Sequence, residues 1–141
     1  MTERQKFYYC FYAISQVNHN IKNQDLKDKI ALCLELVRTH LFENQDTVNE
    51  LYVQFDSEYD GFSIFQEKEE DEKQCCYIDC IIFGFGIILK YEYEEMGSNI
   101  FPEPIEIVDD SIFNLVQEHI KNDLPDGEVI HQRLMVMAKQ G

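Results

Sequence analysis

The chain has 141 residues, 45% of them hydrophobic, with ten Phe and eight Tyr against six Gly and three Pro, and a formal net charge of -15. That length and apolar content are enough to bury a core, and they exclude a disordered or low-complexity chain. A field of one sign repels nucleic acid and anionic membrane and attracts a cationic partner.

The spacing of Phe7, Phe11, Ile14, Val17 and Ile21 predicts an amphipathic helix over residues 3–21, although the aromatic run from Phe7 to Tyr12 also suits a strand. A second helix follows on the stripe Leu26, Ile30, Cys33, Leu34, Val37 and Leu41, with Asn23 or Asp25 as its N-cap. Lys27, Lys29 and Arg38 lie off that stripe and are expected in solvent. After Asn44 the period changes: Leu51, Val53 and Phe55 alternate with polar positions, as do Phe62 and Ile64, around the turn cluster Ser57-Glu58-Tyr59-Asp60-Gly61. This predicts a β-hairpin. Thr47-Val48-Asn49-Glu50 fits a capping box, which leaves a short helix before or instead of the first strand.

The charged run at 67–73 makes the next connection or extends the strand outwards. Residues 74–83 and 86–94, rich in Ile, Phe and Tyr, then read as two further strands joined at Gly84-Phe85-Gly86. Residues 96–104, with Gly97-Ser98-Asn99 and two prolines, read as a loop. Asp109 or Asp110 caps a third helix with the stripe Ile112, Phe113, Val116, His119 and Ile120, stopped by Leu124-Pro125-Asp126-Gly127. Residues 128–138 fit a strand or a short helix. The expectation is one α+β domain over 1–141: two N-terminal helices, a meander of about four antiparallel strands, a third helix, and a C-terminal strand or short helix. The start of the chain lacks a secretory pattern, and the apolar run at 81–89 is about half of what spans a bilayer. A cytoplasmic protein without membrane contact is expected, its five cysteines (Cys10, Cys33, Cys75, Cys76, Cys80) reduced and serving as small core residues.

Several motifs invite chemical readings. Asp56-Ser57-Glu58-Tyr59-Asp60-Gly61 with Glu67 resembles an EF-hand calcium loop, with acids at loop positions one, three, five and twelve and Gly at six. Glu58 and Ser63 depart from that pattern, and the flanks alternate like strands. Cys75-Cys76-Tyr77-Ile78-Asp79-Cys80 lacks the paired ligands of a zinc motif, and in a strand Cys76, Ile78, Cys80 and Ile82 share a core face. His19, His40, His119 and His131 have no local nucleophile partner, no Ser sits in a Gly-x-Ser-x-Gly elbow, and Gly84-Phe85-Gly86 lacks the third glycine of a nucleotide loop. No catalytic residue, metal ligand or cofactor is assigned, and the chain is not expected to be an enzyme.

What remains is the charge. Residues 1–50 carry six Lys/Arg against seven Asp/Glu, residues 51–100 three against twelve, and residues 101–141 three against eight. Intrachain pairing would favour mixing the signs. Tyrosines, which supply rigid contact area with a polar tip, are interspersed with these acids. The partner-binding residues expected from this pattern are Asp56, Glu58, Tyr59, Asp60, Glu67, Glu69, Glu70, Asp71, Glu72, Tyr91, Glu92, Tyr93 and Glu94. In length, acidity and lack of motif, the whole chain resembles immunity proteins of bacterial toxin systems of the contact-dependent growth inhibition type. That resemblance implies a one-to-one complex with a basic nuclease toxin whose substrate cleft it occludes, without direct contact to nucleic acid. The alternatives are a DNA-mimic or regulatory adaptor of a nucleic-acid-binding protein, and a small metal-binding domain built on the calcium-like loop between Asp56 and Glu67.

Overall fold

A computed structural model describes residues 1–43, 46–98 and 101–141. These form eight helices: α1 (Glu3–Asn18), α2 (Gln24–Glu43), α3 (Val48–Asp56), α4 (Phe62–Lys68), α5 (Glu72–Glu95), α6 (Glu103–Glu106), α7 (Asp110–Asp123) and α8 (Gly127–Gln140). No strand occurs among the described residues, so the α+β expectation, its hairpin and its four-stranded meander are overturned. Asn44, where the period was expected to change, and Asn99 in the expected loop lie outside the described residues.

The first two helices form as their stripes predict. Thr2 and Gln5 close a capping box at the start of α1, which buries Phe7, Cys10, Ile14 and Val17. Asn23 accepts the Leu26 backbone N–H at 3.1 Å and opens α2, whose Leu26, Ile30, Cys33 and Val37 are buried. Lys29, expected in solvent, is instead buried: its Nζ donates to Gln54 at 3.0 Å, lies 3.6 Å from Asp60 and sits over the Phe62 ring. Its long stem is covered while its charge finds a carboxylate and a ring face.

The expected hairpin is α3 and α4. Val48, Leu51 and Phe55 are buried at helical spacing, whereas Val53, in step with Leu51 and Phe55 on the strand reading, is exposed. The helical alternative at Thr47 therefore holds, although Thr47 donates its hydroxyl to the Leu36 carbonyl at 2.6 Å instead of capping α3.

Residues 74–83 and 86–94, expected as two strands, belong to one 24-residue helix, α5. It is in contact with α1, α3, α4, α6 and α7, and it buries residues on nearly every side. A helix enclosed in this way carries no polar stripe, so its sequence loses the 3.6-residue signature and reads by composition as strand. By length and composition α5 could cross a membrane. Here it is the central core helix. Gly84-Phe85-Gly86, expected as a turn, lies in its middle, and a Cβ on Gly84 would stand 2.9 Å from the Ile14 side chain. The missing side chain is what lets α1 lie close against α5.

Asp109 caps α7 by accepting the Ser111 N–H at 2.9 Å, and Phe113, Val116 and Ile120 face inward as predicted. The ambiguous tail is helical: α8 buries His131, Leu134 and Ala138. The Tyr9 hydroxyl and His131 Nδ1, 2.7 Å apart and both buried, tie α1 to α8. Burial, followed by the charge of Lys121, holds His131 below the usual imidazole range.

Candidate functional site

The turn between α3 and α4 and the connection from α4 to α5 bring part of the expected surface together. Tyr59, Asp60 and Glu69 line one groove of about 350 Å³ with Asn23, Asp25 and Lys68, over an apolar floor of Leu26, Ile64, Phe65 and Ile78. Tyr59 is 88% exposed. The turn that presents it is held by Ser57, whose carbonyl accepts the Gly61 N–H at 2.8 Å and whose hydroxyl accepts the Tyr59 N–H at 3.2 Å. Glu58, Glu70 and Asp71 are exposed on the same two connections, as are Glu67 in the last turn of α4 and Glu72 in the first turn of α5. Among the described residues, Asp60 is the one expected contact residue in an ion pair, with Lys29. Asp71 serves as the N-cap of α5, accepting the Gln74 N–H at 3.0 Å, and that hydrogen bond holds its carboxyl below the usual range.

Four of the other expected residues are elsewhere. Tyr91, Glu92, Tyr93 and Glu94 sit at the far end of α5, about 30 Å along the helix from Asp71 at 1.5 Å per residue. Tyr91 is half-buried with its ring 4.8 Å from that of Phe7. Tyr93 is buried and donates to Asn49 at 3.3 Å. Glu92 is 1% exposed, its carboxylate oxygens unpartnered among the described residues. Glu94 is exposed, beside the basic Lys6 and Lys90. The acids therefore do not form one continuous sheet surface, because helical geometry separates what an antiparallel meander would have placed side by side. Asp25, contributed by α2, joins the groove and was not singled out, since nothing along the chain connects it with residues 59–69.

The calcium-like loop has helices on both sides, correcting the expected strand flanks. Its carboxylates are turned to other partners: Asp56 accepts the Tyr52 hydroxyl at 3.0 Å, and Asp60 faces Lys29. Burial, aided by that bond, pushes the Tyr52 hydroxyl up to about 12. A group of metal-ligand types does converge at another place, where donor atoms of Cys76, His119 and Asp123 lie within 4.8 Å of one another. The strand reading hid it. On a strand Cys76 faces a sheet core, whereas on α5 it faces α7.

No curated protein and no solved structure matches the chain. The family model for immunity protein Imm6 matches residues 5–122, from the third residue of α1 to the last but one of α7. With most of its length covered by that family model, the chain belongs to the Imm6 family of immunity proteins, whose partners are toxins.

Proposed function

We propose that this immunity protein neutralises a basic nuclease toxin by binding alone, laying the groove around Tyr59 across the toxin's substrate cleft. The observation that carries this reading is the composition of the groove. Asp25, Asp60 and Glu69 surround an apolar floor, a tyrosine stands almost fully exposed at the rim, and five further exposed carboxylates lie on the same connections or in the helix turns next to them. An apolar centre with an aromatic anchor and a charged margin is the anatomy of a specific protein interface. The excess of acid matches the basic cleft that a nuclease presents to phosphates, and opposite charges accelerate encounter more than they deepen affinity. An inhibitor that must reach its toxin before the toxin reaches nucleic acid benefits from that speed.

The test uses the purified toxin that this immunity protein neutralises. Replacing Glu58, Glu67, Glu70 and Glu72 together with Gln leaves the Asp71 cap and the Lys29–Asp60 pair in place. The quadruple variant should keep at least the wild-type unfolding midpoint and associate about tenfold more slowly at low ionic strength, with a flatter salt dependence. Tyr59→Ala should instead raise the dissociation rate, by about tenfold or more if Tyr59 is an anchor. An unchanged association rate in the first variant together with an unchanged dissociation rate in the second would move the docking surface away from this end of the molecule.

A further inference from the structure

Cys76 lies in the second turn of α5, and His119 and Asp123 are one turn apart near the end of α7, so two adjoining helices supply a thiol, an imidazole and a carboxylate to one point. All three side chains are half-buried: His119 is 20% and Asp123 26% exposed, so neighbours hold them while solvent still reaches them. The group is braced. The Phe83 ring lies 6.1 Å from that of His119, and the Tyr77 hydroxyl donates to the Asp123 carbonyl at 3.2 Å. His119 Nδ1 and Asp123 Oδ2 are 2.5 Å apart, within hydrogen-bond distance.

Sulfur, nitrogen and oxygen donors in this proportion suit zinc and its neighbours, not calcium or magnesium, which take all-oxygen shells. In a tetrahedral zinc shell with bonds of about 2.0–2.3 Å, donor atoms stand roughly 3.3–3.6 Å apart. The 2.5 Å His119–Asp123 spacing is below that value and every spacing in the group is within 4.8 Å, so binding needs the His119–Asp123 contact to open by about an ångström. Cys76 also sits in a field that suits a cation. Burial, and after it the charges of Asp123, Asp79 and Glu72, push its thiol up. A nucleophilic cysteine requires the reverse, a thiolate stabilised by positive charge, which argues against a Cys-His-Asp hydrolase.

We propose that Cys76, His119 and Asp123 form a binding site for a zinc-like divalent transition metal, with three protein ligands and a fourth position open to solvent, that fastens α7 to α5. On binding, the Cys76 thiol releases its proton to solvent, so uptake weakens as pH falls. This inference does not rest on the toxin reading and stands or fails apart from it.

The test is titration of the full chain, reduced and freed of metal, with Co(II) alone. The expected result is one equivalent bound, with near-ultraviolet thiolate-to-cobalt absorption, the visible bands of a four-coordinate site, and displacement by Zn(II). Cys76→Ser should abolish the thiolate band, and His119→Ala should weaken binding by more than about tenfold. Cys75→Ser, the adjoining thiol outside the group, should keep both the band and the affinity. Zn(II) should raise the unfolding midpoint of the wild type and of Cys75→Ser, and not that of Cys76→Ser. Absence of a thiolate band from the wild-type titration overturns the proposal whatever the variants do, as does a band that survives in a folded Cys76→Ser.

Discussion

Glu92 is the residue whose environment most opposes its ordinary chemistry. Its carboxylate is buried without a partner among the described residues, and burial followed by the charge of Asp46 raises its pKa from 4.5 to about 8. The folded protein therefore holds a proton on Glu92 at neutral pH that the unfolded chain has released. Because the folded state binds the extra proton, stability is unaffected below about pH 4.5, falls as pH rises from there to about 8, and then levels off. At pH 7 the loss is on the order of 3 kcal/mol. Glu92→Gln keeps the shape and removes the titration. It should raise the urea midpoint clearly at about pH 8 and much less at about pH 5, so that the stability curve against pH flattens. Equal shifts at both pH values would mean that Glu92 is ionised in the folded protein and that its charge is compensated. A buried acid kept against this cost is a group that the fold alone does not require.

At the scale of the element, the molecule depends on α5 being approachable from several directions. At Gly84 α1 packs closely, and an added Cβ would meet the fully buried Ile14 side chain at 2.9 Å. Helix propensity by itself would favour alanine over glycine by about 1 kcal/mol, so the steric and local effects oppose each other. With valine the steric effect wins: Gly84→Val should destabilise by about 2–3 kcal/mol, the scale of overfilling a close-packed core, measured as a lower midpoint with an unchanged denaturant slope. Gly86→Ala, whose Cβ would meet only the Val108 side chain at 3.3 Å, should cost much less. Equal losses at the two positions would show that the α1–α5 approach is not the tight one. The same element explains why the expected strands are absent. Ile, Phe, Tyr and Cys crowd residues 74–94 because the helix has core on almost every side. Composition alone cannot tell a fully enclosed helix from a pair of strands. Val53 and Phe55 mislead in a different way: three residues with a spacing of two suffice to imitate a strand, and only the burial of Val48, Leu51 and Phe55 together reveals the turn of α3.

For the molecule as a whole, the charge of -15 is a standing strain as well as an attractant. Few of the acids are matched: the ion pairs among the described residues are Lys6 with Glu3 and Asp110, Lys29 with Asp60, Arg38 with Glu35, and His119 with Asp123. The like charges that remain repel one another in the compact state. Raising sodium chloride from about 50 mM to about 500 mM shortens the screening length from roughly 14 Å to roughly 4 Å and should relieve that repulsion. The thermal midpoint should climb by about 3–5 °C, which corresponds to about 1 kcal/mol for a chain of this size. A midpoint that falls with added salt would mean that the ion pairs outweigh the repulsion. A toxin with an excess of positive charge should stabilise this protein in the same sense and by more, since it supplies counter-charge at fixed positions.

Charge, the helical stripes of α1, α2 and α7, and the general character of a toxin-immunity protein were all legible in the order of residues. Each depends on composition or on neighbours three and four positions apart. The α1, α2 and α7 helices each lie against the core along one face and keep a polar side, so their period survives in the chain. α5 has no such side, and its helical state is decided by the elements that enclose it. The same holds for what the helices bring together. Asp25 joins Tyr59 and Glu69 around one groove, Glu92 lines a pocket with residues of α1 and α2, and Cys76 meets His119 and Asp123 because α5 and α7 lie against each other. These juxtapositions link positions more than thirty residues apart, where no local propensity acts and packing alone determines which side chains meet.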